Sequence, residues 1–271
     1  MRISKYELLE KIGGGTFGSV YRCFNTFTNE VYAIKLESRD NENNLLKREM
    51  KIYQYLGKSQ YTPQVKWYGV YISLDKNLNF MVMDLLTTSL NDYKSQLTNT
   101  LHSNEEYLCN VKTIGMNMVE IIQYIHSKGI VHRDIKPDNF MFKNNGSGYN
   151  HNQLILIDFG FAVKYNNLKL KTTNSILGTP NFISINIHNN MTPNRRDDLE
   201  SVVYIYLYLL NIYKLDSFKY GNLEKIKMRK LELDKRGFNF LNYCKNLSFY
   251  EDPDYSKIIT LIEKNNCATF F

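Results

Sequence analysis

His132-Arg-Asp-Ile-Lys-Pro-Asp-Asn139 is the stretch that decides how this chain is read. It sets one carboxylate, Asp134, after a histidine-arginine pair, with Lys136 and then Asn139 close behind. A carboxylate so placed can orient a hydroxyl and accept its proton. The lysine can neutralise an anionic group in transfer. The asparagine offers a neutral oxygen of the kind Mg²⁺ takes. A surface loop with no chemistry to do has no use for this combination.

Working outward, Ile12-Gly-Gly-Gly-Thr-Phe-Gly-Ser-Val20 fits G-x-G-x-x-G-x-V from Gly13 onward. Glycines let a backbone approach phosphates closely. Ser19-Val-Tyr-Arg22 continues as a strand and opens no helix, which argues against a dinucleotide fold and for a flap over the phosphates of ATP. Ile12, Gly13, Gly14, Gly15, Thr16, Phe17, Gly18, Ser19 and Val20 are therefore candidate nucleotide-binding positions. Val31-Tyr-Ala-Ile-Lys35 ends a strand in a lysine, with Ala33 beside the nucleotide and Lys35 on its phosphates. Glu49, on a helix expected over Leu45–Leu56, can pair with Lys35 and hold its ammonium in place. Leu154-Ile-Leu-Ile-Asp-Phe-Gly160 presents Asp158 after an apolar run, where it would chelate Mg²⁺.

The 271 residues suffice for two modest lobes with a sizeable core. The net charge of +7 fits a nucleotide-binding enzyme with a mildly basic surface; no nucleic-acid-binding motif accompanies it, and no such partner is expected. Cys23, Cys109, Cys244 and Cys267 are scattered, so neither a disulfide framework nor a zinc site is expected, and a reducing compartment, cytoplasm or nucleus, fits. The N-terminus has no apolar signal core, and the run Val202–Leu210 is too short to cross a membrane, so no membrane partner is expected.

Short strands are expected at Tyr6–Leu9, Gly18–Tyr21, Val31–Lys35 and Phe80–Met83. After residue 88 the period turns helical, at Val111–Ser127, 198–213, 222–236 and 255–264. This predicts an α+β chain with a β-rich N-lobe over about 1–84, a junction at 84–88 and a mainly helical C-lobe over 89–271. Lys225-Ile-Lys-Met-Arg-Lys230 reads as a solvated helix face, with an anion site or a nuclear-import patch as the alternatives.

Nearly the whole chain resembles a protein kinase, and more narrowly it resembles the casein kinase 1 family. The narrow resemblance lies in Ile135-Lys-Pro-Asp-Asn-Phe140, in Ser184-Ile-Asn186 where most kinases have Ala-Pro-Glu, in Arg195-Arg-Asp-Asp-Leu-Glu-Ser201, and in Leu241–Leu247 with Pro253-Asp-Tyr255. It implies the bilobal kinase fold and transfer of the γ-phosphoryl of Mg-ATP to serine or threonine on protein substrates, acidic ones among them, by a monomer. Lys136, two residues after Asp134, is typical of serine/threonine kinases. The resemblance puts Met83 at the adenine pocket, the backbone of Asp84 and Leu86 on adenine, Ser89 and Asp92 at the ribose, and Asp198 as a brace for the catalytic loop. Asn174 and Asn181 stand where the family carries basic residues, so its preference for phosphate-primed substrates does not carry over directly. The resemblance also implies activity without phosphorylation at Thr172, Thr173 or Ser175. The rival is a pseudokinase, a nucleotide-binding scaffold without turnover; the presence of Lys35, Glu49, Asp134, Asn139 and Asp158 together speaks against it.

Overall fold

The computed structural model describes residues 1–15, 18–40, 44–100, 104–143, 150–151, 153–215 and 222–265. The chain divides into two units, Met1–Thr87 with Ile155–Phe161, and Thr88–Leu154 with Ala162–Phe271.

In the first unit, β1 (Arg2–Ile3) leads into β2 (Tyr6–Gly15), which pairs antiparallel with β3 (Gly18–Asn25). Only glycine serves at Gly18, because a Cβ there would lie 2.3 Å from the Leu36 carbonyl oxygen. β4 (Val31–Ser38), the helix α1 (Leu45–Leu56), β5 (Val65–Ile72) and β6 (Asn77–Met83) follow. The six strands form one antiparallel sheet in the order β1-β2-β3-β4-β6-β5.

The sheet sorts its side chains by the two-residue period of strands. One face buries Ile34 and Leu36 with Cys23, Phe80 and Val82 in the unit's core. The alternate residues of β4, Ala33 and Lys35, take the other face. Val20 and Met81 lie directly across from Lys35, and Met83 across from Ala33, so these five residues share one side of the sheet.

Glu37 lies two residues past Lys35 and places α1. Its carboxylate accepts the first backbone N–H groups of the helix, from Leu45 at 2.9 Å and Leu46 at 3.1 Å. An anion at the positive end of the helix dipole replaces the missing cap, since Asn44 makes no side-chain capping bond. Leu46, Glu49, Tyr53 and Leu56 then form the buried stripe of α1.

The second unit opens with β7 (Thr88–Ser89), α2 (Leu90–Thr100) and α3 (Asn104–Ser127). β8 (Ile130–Val131) and β9 (Phe140–Phe142) bracket residues 132–139. β10 (Leu154–Leu156) runs into the segment Ile155–Phe161. β11 (Val163–Lys164), α4 (Ile185–His188), α5 (Arg195–Leu209), α6 (Leu223–Asp234), α7 (Asn239–Asn246) and α8 (Tyr255–Glu263) complete it. β7 pairs with β9 and β11 with β8, which pins both ends of the 132–139 loop. α5 is buried almost all round and packs on α3 and α7. Among the described residues no helix is long and apolar enough to cross a membrane.

Three sequence expectations need correction. Ile155–Phe161, placed by sequence in the C-lobe, groups with the first unit, because Leu156 N–H donates to the Tyr61 carbonyl at 2.9 Å and Phe159 packs on Tyr53. The helix expected over 198–213 runs Arg195–Leu209, because Asn194 and Asp197 form a capping box that starts it earlier. Lys225–Lys230 is not a uniformly solvated face. Ile226, Lys230 and Leu233, at helical spacing, turn inward, and Lys230 is wholly buried.

Candidate active site

In the first unit, Lys35 Nζ donates to Glu49 at 2.7 Å and to Asp158 at 2.8 Å. Strand β4 supplies the lysine, α1 the glutamate, and the Ile155–Phe161 segment the aspartate. Burial works against the Lys35 ammonium, but the carboxylates of Glu49 and Asp158 outweigh it and hold its pKa above the usual lysine range. Burial pushes the Glu49 carboxyl upward, and Lys35 opposes the shift. Asp158 adopts φ 65°, in the left-handed region that a non-glycine residue rarely occupies. Its backbone N–H donates to the Tyr53 hydroxyl at 3.2 Å. The side chain of Asp158 is 41% exposed, against 2% for Glu49, so Asp158 is the carboxylate that solvent can reach.

The glycine-rich hairpin sets Gly13, Gly14 and Gly15 opposite Val20, Ser19 and Gly18. Ile12 at its base is exposed. Thr16 and Phe17 lie outside the described residues. Met83 and Leu86 are buried. The Asp84 side chain accepts from Gln64 N–H at 3.0 Å and pairs with Lys66 at 2.9 Å, which anchors the end of β6.

In the second unit, Asp134 is the hub. Lys136 Nζ donates to one carboxylate oxygen at 2.7 Å, and Thr179 Oγ1 donates to the other at 2.8 Å. The Asn139 amide nitrogen donates to the Asp134 carbonyl at 2.8 Å, which turns its Oδ1 to the opposite side as an acceptor. Asp198 braces the loop from α5, accepting from the N–H groups of His132 at 2.7 Å and Arg133 at 2.9 Å. That bond holds Arg133 at φ 71°, a second strained residue. His126 lies 3.1 Å from Asp198 and 2.8 Å from the Tyr255 hydroxyl; burial keeps its pKa low, so a neutral ring donates from Nε2 and accepts at Nδ1. Ser89 and Asp92 bond each other reciprocally, at 2.7 Å between side chains, and cap α2.

A family model described as the protein kinase domain matches residues 6–235. The chain belongs to the protein kinases. Its β-rich first unit and mainly helical second unit are the two parts of the kinase α+β fold. Protein kinase domains generally use ATP and Mg²⁺. Among the described residues no three His, Cys, Asp or Glu side chains gather as a metal cage. The first unit offers one reachable carboxylate, Asp158, and the second one oriented amide oxygen, Asn139. Each is an oxygen ligand of the kind Mg²⁺ takes, an ion that keeps several waters and takes phosphate oxygens besides.

Sequence reading missed two residues of this kinase's site. Tyr53 sits one helical turn after Glu49 and fixes the backbone of Asp158, yet a tyrosine on an apolar stripe looks like ordinary core. Thr179, beside the motif residues quoted from the sequence, is joined to Asp134 only by the fold. Asp198→Asn is expected to cost about 1–3 kcal/mol of stability, because a buried N–H loses its anionic acceptor. Denaturant unfolding should show the lower midpoint, with kcat reduced alongside.

Proposed function

We propose that this kinase transfers the γ-phosphoryl of Mg-ATP to serine and threonine hydroxyls of proteins, in the manner of the casein kinase 1 family that it resembles. The observation that carries the proposal is Asp134, a buried carboxylate held from both sides by Lys136 and Thr179. Asp134 orients the acceptor hydroxyl and takes its proton as the oxygen attacks phosphorus. Lys136 neutralises charge on the phosphoryl group in flight. Lys35, kept in place by Glu49, holds the α- and β-phosphates, and the glycine hairpin covers them. Val20, Ala33 and Met83 form the apolar bed for adenine, with the backbone of Asp84 and Leu86 as its hydrogen-bonding edge and Ser89 and Asp92 at the ribose. Mg²⁺ held by Asp158 and Asn139 would neutralise the charge of the β- and γ-phosphates.

The residues behind the narrow resemblance support it by interlocking. Ser184 Oγ donates to Asp197 at 2.5 Å, Ile185 N–H donates to Glu200 at 2.9 Å, and Arg195 pairs with Asp252. Ser184-Ile-Asn186 is thereby tied to Arg195–Ser201 without the glutamate of Ala-Pro-Glu. The test is a set of acidic peptides that differ only in acceptor (serine, threonine or tyrosine), each with and without a phosphate upstream. Serine and threonine peptides are expected to be phosphorylated and tyrosine peptides not. Upstream phosphate should add little, because Asn174 and Asn181 bring no charge to meet it. Tyrosine phosphorylation at a comparable rate would overturn the serine/threonine assignment.

A further inference from the structure

Lys230 is the one lysine of the described residues with no exposed surface at all. An ammonium has three N–H donors and no acceptor, and burying it is costly unless all three are used. Here all three are met. Lys230 Nζ donates to the carbonyls of Ile183 at 2.5 Å and Pro180 at 3.0 Å, and lies 3.3 Å from His188 Nε2. Burial, aided by Lys230, pushes the His188 imidazole down to about 3, so the ring is neutral, and in the tautomer protonated at Nδ1 its Nε2 accepts from the ammonium. The Tyr204 ring faces the ammonium at 4.5 Å, and buried Glu200 supplies the opposing charge. Burial lowers the Lys230 pKa, and Glu200 resists that shift.

Both carbonyls that Lys230 holds belong to the segment that begins at Thr179, the residue bonded to Asp134. Two further carbonyls of the turn are also taken. The Thr179 carbonyl accepts from Phe182 and Ile183 N–H at 2.8 and 3.1 Å, and the Asn181 carbonyl accepts from the Tyr213 hydroxyl at 2.9 Å. At the head of the segment Gly178 takes φ 101°, with Ile183 Cγ2 and the Arg133 carbonyl where a Cβ would stand. The Pro180, Asn181 and Ile183 carbonyls thus hold the segment to Lys230 of α6 and to Tyr213.

We propose that Lys230 is a positioning residue for the protein substrate: by holding the Pro180 and Ile183 carbonyls it sets the 179–183 segment, and with it Thr179, against Asp134, where the acceptor chain must lie. The inference rests on the assignment of Asp134 as the base in transfer to protein. Lys230 acts through the segment and touches neither nucleotide nor metal ligand. Its loss is therefore felt in the acceptor and not in ATP binding.

The test compares Lys230→Met and Tyr213→Phe with the wild type on a casein-like peptide and on Mg-ATP. Lys230→Met is expected to lower peptide kcat/KM about ten- to a hundredfold, mainly through a higher peptide KM, as slight misplacement does. Tyr213→Phe should move the same constant in the same direction by less. The affinity for Mg-ATP should stay at the wild-type value in both. Unchanged peptide kcat/KM, or a loss of Mg-ATP affinity in step with it, would overturn the role and leave Lys230 as plain core. Should Lys230→Met fail to fold, Tyr213→Phe decides, and a wild-type peptide KM in that variant refutes the proposal. A wild type that phosphorylates no protein or peptide brings down the transfer assignment itself, and the inference with it.

Discussion

Asp134→Asn is expected to lower kcat by about a hundred- to ten-thousandfold, the usual worth of a positioned general base. Asparagine keeps the size of the side chain and one oxygen for Thr179 Oγ1, so the loop should retain its shape. What disappears is the charge that accepts the acceptor proton and that holds Lys136 at 2.7 Å. Without that partner Lys136 is free to swing, which adds to the loss in turnover, while Lys35 still holds the α- and β-phosphates. Affinity for Mg-ATP, titrated with a fluorescent analogue, should therefore match the wild type. A variant that turned over at near-normal rate would remove Asp134 from the base role.

Lys35→Met should be the most damaging change to both activity and stability. It leaves Glu49 buried and Asp158 half-exposed with no counter-charge. Breaking a buried pair from one side typically costs roughly 3–5 kcal/mol, less whatever the orphaned carboxyl recovers by taking a proton. That recovery predicts the pH dependence. Glu49 already titrates above the ordinary glutamate value, and losing Lys35 raises it further, since burial remains and the opposing cation is gone. At low pH the carboxyl is neutral in both the folded and the unfolded chain, and little is lost. Between the ordinary value and the raised folded-state value, the unfolded chain ionises freely while the folded chain must keep its proton, so stability falls; above the folded-state value both are ionised and the loss is complete. The gap in unfolding midpoint between wild type and variant should therefore widen as the pH rises above the ordinary glutamate value. A gap independent of pH would mean that Glu49 does not depend on Lys35. Activity should be largely lost throughout, because the ammonium that holds the phosphates is missing.

Much of the fold was legible because its elements carry their own periodicity. The stripe Leu46, Glu49, Tyr53, Leu56 marks α1, and alternation in Val31–Lys35 places Lys35 opposite the apolar side of its strand. β5 was not legible. It is the edge strand of its sheet, with Trp67, Val70 and Ile72 exposed, so no inward-outward alternation marks it. The short α7 and the polar start of α3 were missed for similar reasons: few residues, and no apolar stripe in the first turns.

The candidate site divides along the same line. Lys35, Asp134, Asn139 and Asp158 could be picked out because their spacing along the chain reflects one chemistry. Tyr53, Thr179 and Lys230 act through partners distant in sequence, and each has an ordinary explanation when seen alone. Lys230 shows the limit most clearly. In sequence it is one of four basic residues between Lys225 and Lys230, yet its place between Ile226 and Leu233 on α6 makes it the inward one. Local spacing contained that clue; the three acceptors that make its burial tolerable came only from α4 and the turn at 179–183.

The most direct test of the central assignment is transfer of labelled phosphate from ATP in the presence of Mg²⁺, with casein as acceptor and Asp134→Asn in parallel. The wild type should label serine and threonine, labelling should vanish when Mg²⁺ is chelated, and the variant should bind ATP yet label almost nothing. A wild type that binds ATP but labels neither casein, nor any peptide, nor itself would contradict the account and identify the chain as a nucleotide-binding scaffold.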